Sequence, residues 1–470
     1  MAKQLFNSTE KSNFILNLTE EKYSGLALFG LLTACFTTSI MTAIPVITGQ
    51  QMYALSAVGL AVAGVICMIV ALIGAIKKYI SKKSLVPICA FGFMLIWGVI
   101  SSVLAYDLNI AFYGYTGRGE GLLAIIFYAC FFCTAVSVKF EKNVTTLIYG
   151  IIGAGLLNSV FGLIQVFTGE LSNYRMVSME VQINAASGLA QSPLFLAMLL
   201  TLSLTAALMG FVFLEKKSGK IFCIISACIF SFVMMFTYSL IGICGIVFAV
   251  IVVIIAVIVM KAPKINLLSI LSVIIPSVLS VVIVQCGLIG NITQYRLYDG
   301  RILWFADSYY RLSASGNYNF KVIDIDDTAD VYHHLNRKAM NIAESHALTG
   351  TGPEQLVFPQ LYTFGSAGEN GELSDVISEN IGTFDKVYNE YIYTAATRGI
   401  PSAIALAVIL ISVLVIGFHI VRKNRKWQSL CMLMLTVGGV LLFFIGCSNI
   451  CYSAVFWTVA GLCCADTKEK

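Results

Sequence analysis

Arginine and lysine occupy different parts of this sequence, and the arginines stand where an anion could be bound. Most lysines fall in short loops between apolar segments. The orientation of a protein in a membrane requires only positive charge, which lysine supplies. The planar guanidinium of arginine carries five hydrogen-bond donors in a fork that fits phosphate or carboxylate. The alternative is that these arginines only pair with nearby acidic residues. Arg118 and Arg175 fit that alternative least well, because each stands in a separate short outer loop where a basic residue opposes the orientation rule, which favours a ligand as the reason for it. The arginines outside the lysine-rich loops are Arg118, Arg175, Arg296, Arg301, Arg311, Arg337 and Arg398.

Two polar clusters lie in one Gly-rich segment near the C-terminal end. They read GTGPEQLVFPQLY from Gly350 and DKVYNEYIYTAATRGIP from Asp385. His346 precedes the first cluster, where a helical pattern ends at a Gly-Pro breaker that could place it at the mouth of a site. His333 and His334 follow an acidic run without a spacing that enforces coordination, so we expect no metal site. For all three histidines a solvated side chain is the alternative.

The elements that must position these residues are membrane helices. The chain has 470 residues, of which 58% are hydrophobic and 12% are charged, and its mean hydropathy is +0.85. Apolar runs long enough to cross a bilayer of ~30 Å recur along it. We therefore predict an all-α polytopic membrane protein with about 12 transmembrane helices. The predicted spans are residues 24–44, 52–76, 85–105, 121–138, 144–167, 185–213, 221–238, 240–260, 265–290, 400–420, 428–447 and 450–465.

Charge in the loops predicts the orientation, because lysine and arginine accumulate in short cytoplasmic loops. The loops after the even-numbered spans carry the basic residues, so both termini are expected to be cytoplasmic. The N-terminal segment lacks the features of a cleaved signal peptide, and span 1 is expected to be an uncleaved anchor. The predicted parts are a cytoplasmic tail (1–23), transmembrane helices 1–9 (24–290), a large extracytoplasmic loop (291–399), helices 10–12 (400–465) and a cytoplasmic tail (466–470).

Composition argues against several classes of function. The 14 cysteines lie in or beside predicted spans and are expected to act as small apolar residues, without disulfides or a zinc site. The net charge of +5 mostly reflects the loop lysines, so no nucleic-acid partner is expected. The predicted spans contain almost no ionisable residues, which argues against a proton-coupled transporter. The chemistry is therefore expected at the outer interface, where Arg118, Arg175 and the long loop could converge.

The motifs and their order resemble those of the O-antigen ligase and polymerase superfamily, a group of GT-C type enzymes of bacterial envelope polysaccharides. In that family an Arg precedes E-G-L in an outer loop, G-T-G-P-D/E precedes V-F-P-Q in the large loop, and D-K-x-H-N-x-Y leads to G-I-P before the next span. The residues that carry the resemblance are Arg118, Glu120, Gly350, Gly352, Pro353, Glu354, Asp385, Lys386, Asn389, Tyr391, Gly399 and Pro401.

The sequence departs from the family pattern at three places. Tyr388 stands where the D-K-x-H-N motif has histidine. A T-x-S-R-G motif appears from Thr237 without its arginine, and the usual R-x-x-x-W element is split between Arg301 and Arg337 by a segment that looks like an insertion. These departures leave the identity of the catalytic base open.

The resemblance implies transfer of a glycan from an undecaprenyl-diphosphate donor to a hydroxyl of an acceptor glycan, lipid or wall polymer. The reaction would take place at the outer face of the cytoplasmic (plasma) membrane, without a cofactor. A diphosphate leaving group needs positive donors, and the acceptor needs a base. A tyrosine with an ordinary pKa of ~10 needs a nearby cation to act as that base. Three alternatives remain: a catalytically degenerate glycan-lipid binding protein, a transporter of lipid-linked oligosaccharides, and a receptor or assembly subunit. The candidates are Arg118, Arg175, Arg301 and Arg337 for the diphosphate and His346, Tyr388 and Glu390 for the base.

Overall fold

The computed structural model describes residues 18–48, 54–115, 117–171, 174–178, 181–261, 267–285, 308–311, 325–358 and 385–467. Arg296 and Arg301 lie outside the described residues. For Arg175, Arg311, His333 and His334 the description covers the backbone. The large predicted loop is therefore represented by its C-terminal part and by one short strand.

Helices dominate the fold, and all of them except one polar helix, Ile325–Ser345, are largely apolar. They are α1 (Glu20–Thr48), α2 (Ala54–Ile76), α3 (Leu85–Val103), α4 (Leu108–Tyr113), α5 (Leu122–Val136), α6 (Glu141–Thr168), α7 (Pro193–Phe213), α8 (Lys217–Met235), α9 (Leu240–Met260), α10 (Leu267–Gln285), α11 (Ile325–Ser345), α12 (Glu390–Asn424), α13 (Trp427–Ile445) and α14 (Ile450–Cys463).

The prediction of an all-α polytopic membrane protein is confirmed. Within the described ranges, ten helices are long and apolar enough to cross a membrane. Each predicted span overlaps an apolar helix, but spans 4 and 12 correspond to α5 and α14, which have only 15 and 14 residues. By length and composition, the described part of the chain thus supports ten spans and two shorter apolar helices.

Local sequence signals set several helix starts. Span 6 was predicted from residue 185, but α7 begins at Pro193 because proline disfavours helix at the residue before it and fits the first helical turn. Ser192 then caps α7 by accepting a hydrogen bond from Phe195 N at 3.2 Å. Ser239, Asn389 and Asn449 cap later helices in the same way.

Helix α7 lies at the centre of the helical bundle. In its most apolar stretch, 94% of the residues are buried. It packs against α6, α8, α9 and α13. In contrast, only 28% of the residues in the apolar stretch of α10 are buried. This helix exposes aliphatic side chains, as expected of a helix that faces lipid. The bundle thus has a protein-enclosed core and an apolar periphery.

A small three-stranded sheet accompanies the helices, which the prediction of an all-α fold did not include. The strands β1 (Tyr174–Ser178), β2 (Val181–Asn184) and β3 (Ser308–Arg311) are antiparallel in the order β2-β1-β3. The backbone of Arg175 lies opposite Tyr310 on β3. The short loop of Arg175 and part of the large predicted loop are thereby joined through backbone pairing, as their predicted convergence requires.

Helix α12 is interrupted at Gly399, next to the predicted boundary between loop and membrane span. Gly399 has φ 83° and ψ 161°, a conformation open essentially only to glycine. Two residues later Pro401 lacks an N–H and cannot continue the bonding of the preceding turn. The carbonyls of Ala396 and Thr397 therefore accept hydrogen bonds from Thr351 N (3.0 Å) and Gly352 N (2.8 Å). The break docks the turn at Gly350 onto α12.

Candidate functional site

The candidate site lies where three segments meet. These are the Arg118 loop (residues 114, 115 and 117–121), the Gly350 turn (residues 347–358) and the segment 385–389 that leads into α12. Gln355 fastens the turn to the segment before α4, because its side-chain amide exchanges two hydrogen bonds with the backbone of Asp107, at 2.9 and 3.0 Å. Trp97 Nε1 also donates to Leu348 O at 2.6 Å. The turn is therefore held on two sides before any charged contact is made.

Gly350 and Gly352 have backbone roles at this turn. Their φ values are 64° and 103°, which disfavour a side chain. A Cβ at Gly350 would also overlap the backbone at Thr397, and one at Gly352 would overlap Ala105. The Gly-Thr-Gly-Pro run thus positions the turn against its neighbours, which explains glycine at both positions without a ligand.

Arg118 and Asp385 form an ion pair between the Arg118 loop and the 385–389 segment. The Arg118 guanidinium donates to both oxygens of the Asp385 carboxylate, with Nη2 3.4 Å from Oδ1. The guanidinium carbon also lies 5.6 Å from the ring centre of Phe195 at the start of α7, within range of a cation–π contact. Both charged side chains are partly exposed, at 17% and 27%. The pair is accessible from solvent, so a ligand could reach it.

Behind this pair lies a buried triad made of Lys386, Glu120 and Glu354. Lys386 Nζ lies 2.6 Å from Glu120 Oε2 and 3.3 Å from Glu354 Oε1. The Lys386 ammonium is also 4.5 Å from the ring centre of Tyr393 on α12. All three charged side chains are 5% exposed or less. Lys386 therefore connects three chain segments through charge in a water-poor environment.

Glu390 and Arg398 form a second buried ion pair within the first part of α12. Arg398 Nη2 donates to Glu390 Oε1 at 3.1 Å and to Thr394 Oγ1 at 2.8 Å. The backbone N–H of Ser448 donates to Glu390 Oε2 at 2.8 Å, and Ser448 Oγ donates to Glu120 Oε2 at 3.1 Å. Ser448, which lies between α13 and α14, thus links the two sets of buried charges.

A small cavity of about 30 Å³ lies among these charged groups. Such a volume holds about two water molecules and not a sugar. Its apolar wall includes Phe91, Phe443 and Trp457. The polar groups that line it are Glu120, Tyr128, Glu354, Glu390, Tyr393, Thr397, Arg398 and Ser448.

The ion pairs set the protonation states of the charged groups in the loops. Burial alone would raise the pKa of Asp385, but the charge and hydrogen bonds of Arg118 outweigh it and hold that pKa below its usual range. Burial would lower the pKa of Lys386, but Glu120 and Glu354 raise it well above its usual value. For Glu354, burial raises the pKa and Lys386 only partly offsets the effect. Asp385 and Lys386 are thus charged, and Glu354 retains a proton more readily than an ordinary glutamate.

The structure brings some of the predicted site residues together and leaves others apart. Arg118, Asp385, Lys386 and Glu390 converge, and Asn389 caps α12 by accepting from Tyr391 N at 3.0 Å. Tyr388 is half-buried on the 385–389 segment. His346 and Arg337 are exposed, at and near the C-terminal end of α11, and His346 Nδ1 lies 3.0 Å from Ser345 Oγ.

One expectation needs correction. Arg118 was expected to escape pairing with acidic residues, but it pairs with Asp385. The buried pair of Glu390 and Arg398 lies in the part of α12 before the break at Gly399, outside predicted span 10, which begins at residue 400.

Sequence reasoning gave no site role to Glu120, Glu354, Arg398 or Ser448. The signal for Arg398 was present, because Glu390, Thr394 and Arg398 recur every four residues and share one face of a helix. Nothing in the sequence pairs Glu120 with Lys386, since the two are separated by 266 positions.

Comparison with protein-family models found no match, and comparison with curated proteins found none either. Membership of the O-antigen ligase and polymerase superfamily therefore stays a prediction that depends on the motifs and on the way their residues meet at this site.

Proposed function

We propose that this protein transfers a glycan from a polyprenyl-diphosphate donor to an acceptor hydroxyl, at the membrane face opposite its lysine-rich loops. One observation carries the proposal. Arg118 and Asp385 belong to two motifs 267 positions apart, and they meet in a partly exposed ion pair beside an apolar helix bundle. An anionic headgroup on an isoprenoid tail needs this combination of an accessible guanidinium and an adjoining apolar surface.

In the proposed reaction the electron pair of the sugar–phosphate bond leaves on the diphosphate, and a positive group must stabilise the charge that develops. Arg118 is the candidate for that role. Asp385 keeps the guanidinium oriented, because two hydrogen bonds define its plane. Lys386, one residue later, is engaged by two carboxylates and supports the segment from behind.

The first prediction concerns Arg118→Lys. Lysine keeps the charge but loses the planar fork, so a bidentate contact with phosphate is lost. We expect the affinity of the purified full-length protein for undecaprenyl diphosphate to fall about ten- to hundredfold. This range corresponds to about 1.5–3 kcal/mol, the contribution of a hydrogen bond to a charged group. Arg422→Lys, at the exposed end of α12 among the lysine-rich loops, is the matched control and should bind like wild type. Equal binding by wild type and Arg118→Lys would contradict a phosphate role for Arg118.

The second prediction concerns Tyr388→His, which restores the histidine of the family motif. Tyr388 is half-buried, so the imidazole has access to solvent and a smaller ring fits the same space. Histidine has a pKa near neutrality and is a better base than tyrosine at neutral pH. We expect transfer from an undecaprenyl-diphosphate glycan to be retained or increased in this variant. A correctly folded Tyr388→His protein without any transfer would remove position 388 from the site.

The degenerate binding protein remains a second candidate, because Asp385 already neutralises Arg118 in this structure. The two candidates differ in one measurement. Wild-type protein that binds undecaprenyl diphosphate but never consumes an undecaprenyl-diphosphate glycan, with any of several acceptor glycans, would support the binding protein.

A further inference from the structure

The charged groups of the candidate site do not balance. Asp385 is paired with Arg118 and Glu390 is paired with Arg398. The two remaining carboxylates share a single ammonium group, that of Lys386. Among the described residues of this cluster, three cations therefore face four carboxylates. If every group carried its ordinary charge, one buried negative charge would lack compensation.

The excess charge can be located from the hydrogen bonds. Glu120 accepts from three donors, namely Lys386, Tyr128 Oη at 2.7 Å and Ser448 Oγ at 3.1 Å. Both oxygens of the Glu120 carboxylate therefore have hydrogen-bond donors. Glu354 Oε2 accepts the backbone N–H groups of Tyr115 and Glu120, but Glu354 Oε1 accepts no hydrogen bond within the described residues, although Lys386 lies 3.3 Å away. Glu354 is the carboxylate with an unfilled position.

The surroundings of Glu354 favour neutralisation. Its side chain is 2% exposed and lines the small cavity. A buried carboxylate with incomplete compensation is costly, and a proton removes the charge at small structural cost. Among the described residues no group of three His, Cys, Asp or Glu is placed to hold a metal ion. The titratable and charged groups of the elements packed around Glu354 are Asp107, Arg118, Glu120, Tyr128, Asp385, Lys386, Glu390, Tyr393, Arg398 and Cys447.

The backbone at Glu354 shows that its side chain is held in place. Glu354 has φ 55° and ψ 20°, a left-handed conformation that is uncommon for residues other than glycine, asparagine and aspartate. The conformation directs the carboxylate at two N–H groups of the Arg118 loop. Glu354 therefore connects the Gly350 turn to the loop that carries Arg118, and this connection depends on the charge of its carboxylate.

We propose that Glu354 is the proton-binding residue of this site and that its ionised form positions Arg118 by holding the N–H groups of the Arg118 loop. Loss of the proton strengthens Glu354 as an acceptor for these N–H groups and fixes the loop. Gain of the proton weakens that hold. The positioning role depends on the function proposed above, whereas the proton site does not.

Infrared spectroscopy of the full-length protein at a series of pH values tests the proton site. A protonated carboxyl has its own carbonyl band, and we expect this band to persist above pH 4.5, the usual pKa of glutamate, in wild type. It should be absent from Glu354→Gln and unchanged in Glu344→Gln, which alters an exposed glutamate on α11. If Glu354→Gln does not fold, Glu354→Asp should move the titration midpoint of the band. A band that stays in Glu354→Gln, or an unmoved midpoint in Glu354→Asp, would overturn the proposal.

The pH dependence of stability has a definite sign. Because the folded-state pKa of Glu354 is raised, folded protein holds a proton that the unfolded chain has already lost. The thermal midpoint of wild type should therefore fall as pH rises from 4.5 through the folded-state pKa. Glu354→Gln should lack this fall, and a parallel fall in the variant would count against Glu354.

Binding of undecaprenyl diphosphate tests the positioning role. Titration of the diphosphate itself is common to both proteins, so the ratio of wild-type to Glu354→Gln affinity isolates Glu354. We expect this ratio to rise about tenfold as Glu354 ionises, in line with the loss of a charge-assisted hydrogen bond. A constant ratio would overturn the positioning role. No binding by either protein, together with a Glu354-dependent infrared band, would reject the proposed function and leave the proton site standing.

Discussion

Lys386→Met should lower the free energy of unfolding by about 3–5 kcal/mol, the cost of leaving a buried charge without its partner. Two buried carboxylates, Glu120 and Glu354, depend on this one ammonium. Methionine keeps most of the side-chain volume, so the loss comes from charge and not from a cavity. Unfolding of the purified protein in mixed detergent, followed by tryptophan fluorescence, measures the change.

Two further variants make the Lys386 result specific. Lys217→Met removes an exposed lysine near the start of α8 and should leave stability within about 0.5 kcal/mol of wild type. Adding Glu120→Gln to Lys386→Met removes one of the two carboxyl groups that lost their ammonium partner, so the double variant should recover part of the lost stability. Wild-type stability of Lys386→Met would show that the triad contributes little.

Gly399→Ala should cost at least about 3 kcal/mol of folding free energy, because two penalties act together. The backbone of Gly399 lies in a region open essentially only to glycine. In addition, a Cβ there would overlap the carbonyl oxygen of Leu348, and that oxygen is held by Trp97. Relief of the overlap would move the Gly350 turn away from α12, so under the proposed function the same variant should also lose binding of undecaprenyl diphosphate.

A second glycine provides the control for Gly399→Ala. Gly25 lies inside α1, and a Cβ there would meet nothing within 4 Å. Alanine is favoured over glycine within a helix by about 1 kcal/mol, so Gly25→Ala should be neutral or stabilising. Equal thermal midpoints for Gly399→Ala and Gly25→Ala would show that the break in α12 tolerates a side chain.

Hydropathy predicted the membrane helices well, since an apolar run of sufficient length has few alternatives to a helix in a bilayer. It was less accurate at helix ends. Hydropathy did not indicate the polar helical segment that precedes Gly399, and it extended span 6 over residues 185–192, beyond the cap at Ser192. Backbone geometry and capping determine these ends, and a hydropathy average does not include either.

The candidate site was predicted in part. The expectation that short loops and the long segment would meet was correct for Arg118 and Asp385. The sequence did not indicate that Lys386 would be buried between two glutamates, because Glu120 lies 266 positions away and Glu354 belongs to a separate motif of the large loop. The role of Glu354 also depends on its conformation and on its unfilled oxygen, which only coordinates can show.

The separation between Glu120 and Lys386 has a consequence for biosynthesis. The two residues lie 266 positions apart, so at about 5–20 residues per second the ribosome completes Lys386 roughly 13–53 seconds after Glu120. During that time the helices from α5 to α11 are synthesised while Glu120 lacks its ammonium partner. The Glu120 carboxylate therefore lacks this ion pair until the segment that carries Lys386 has been synthesised. The contacts of Lys386 consequently form late in synthesis, and a chain truncated before residue 385 would keep Glu120 and Glu354 without the ammonium group that they share.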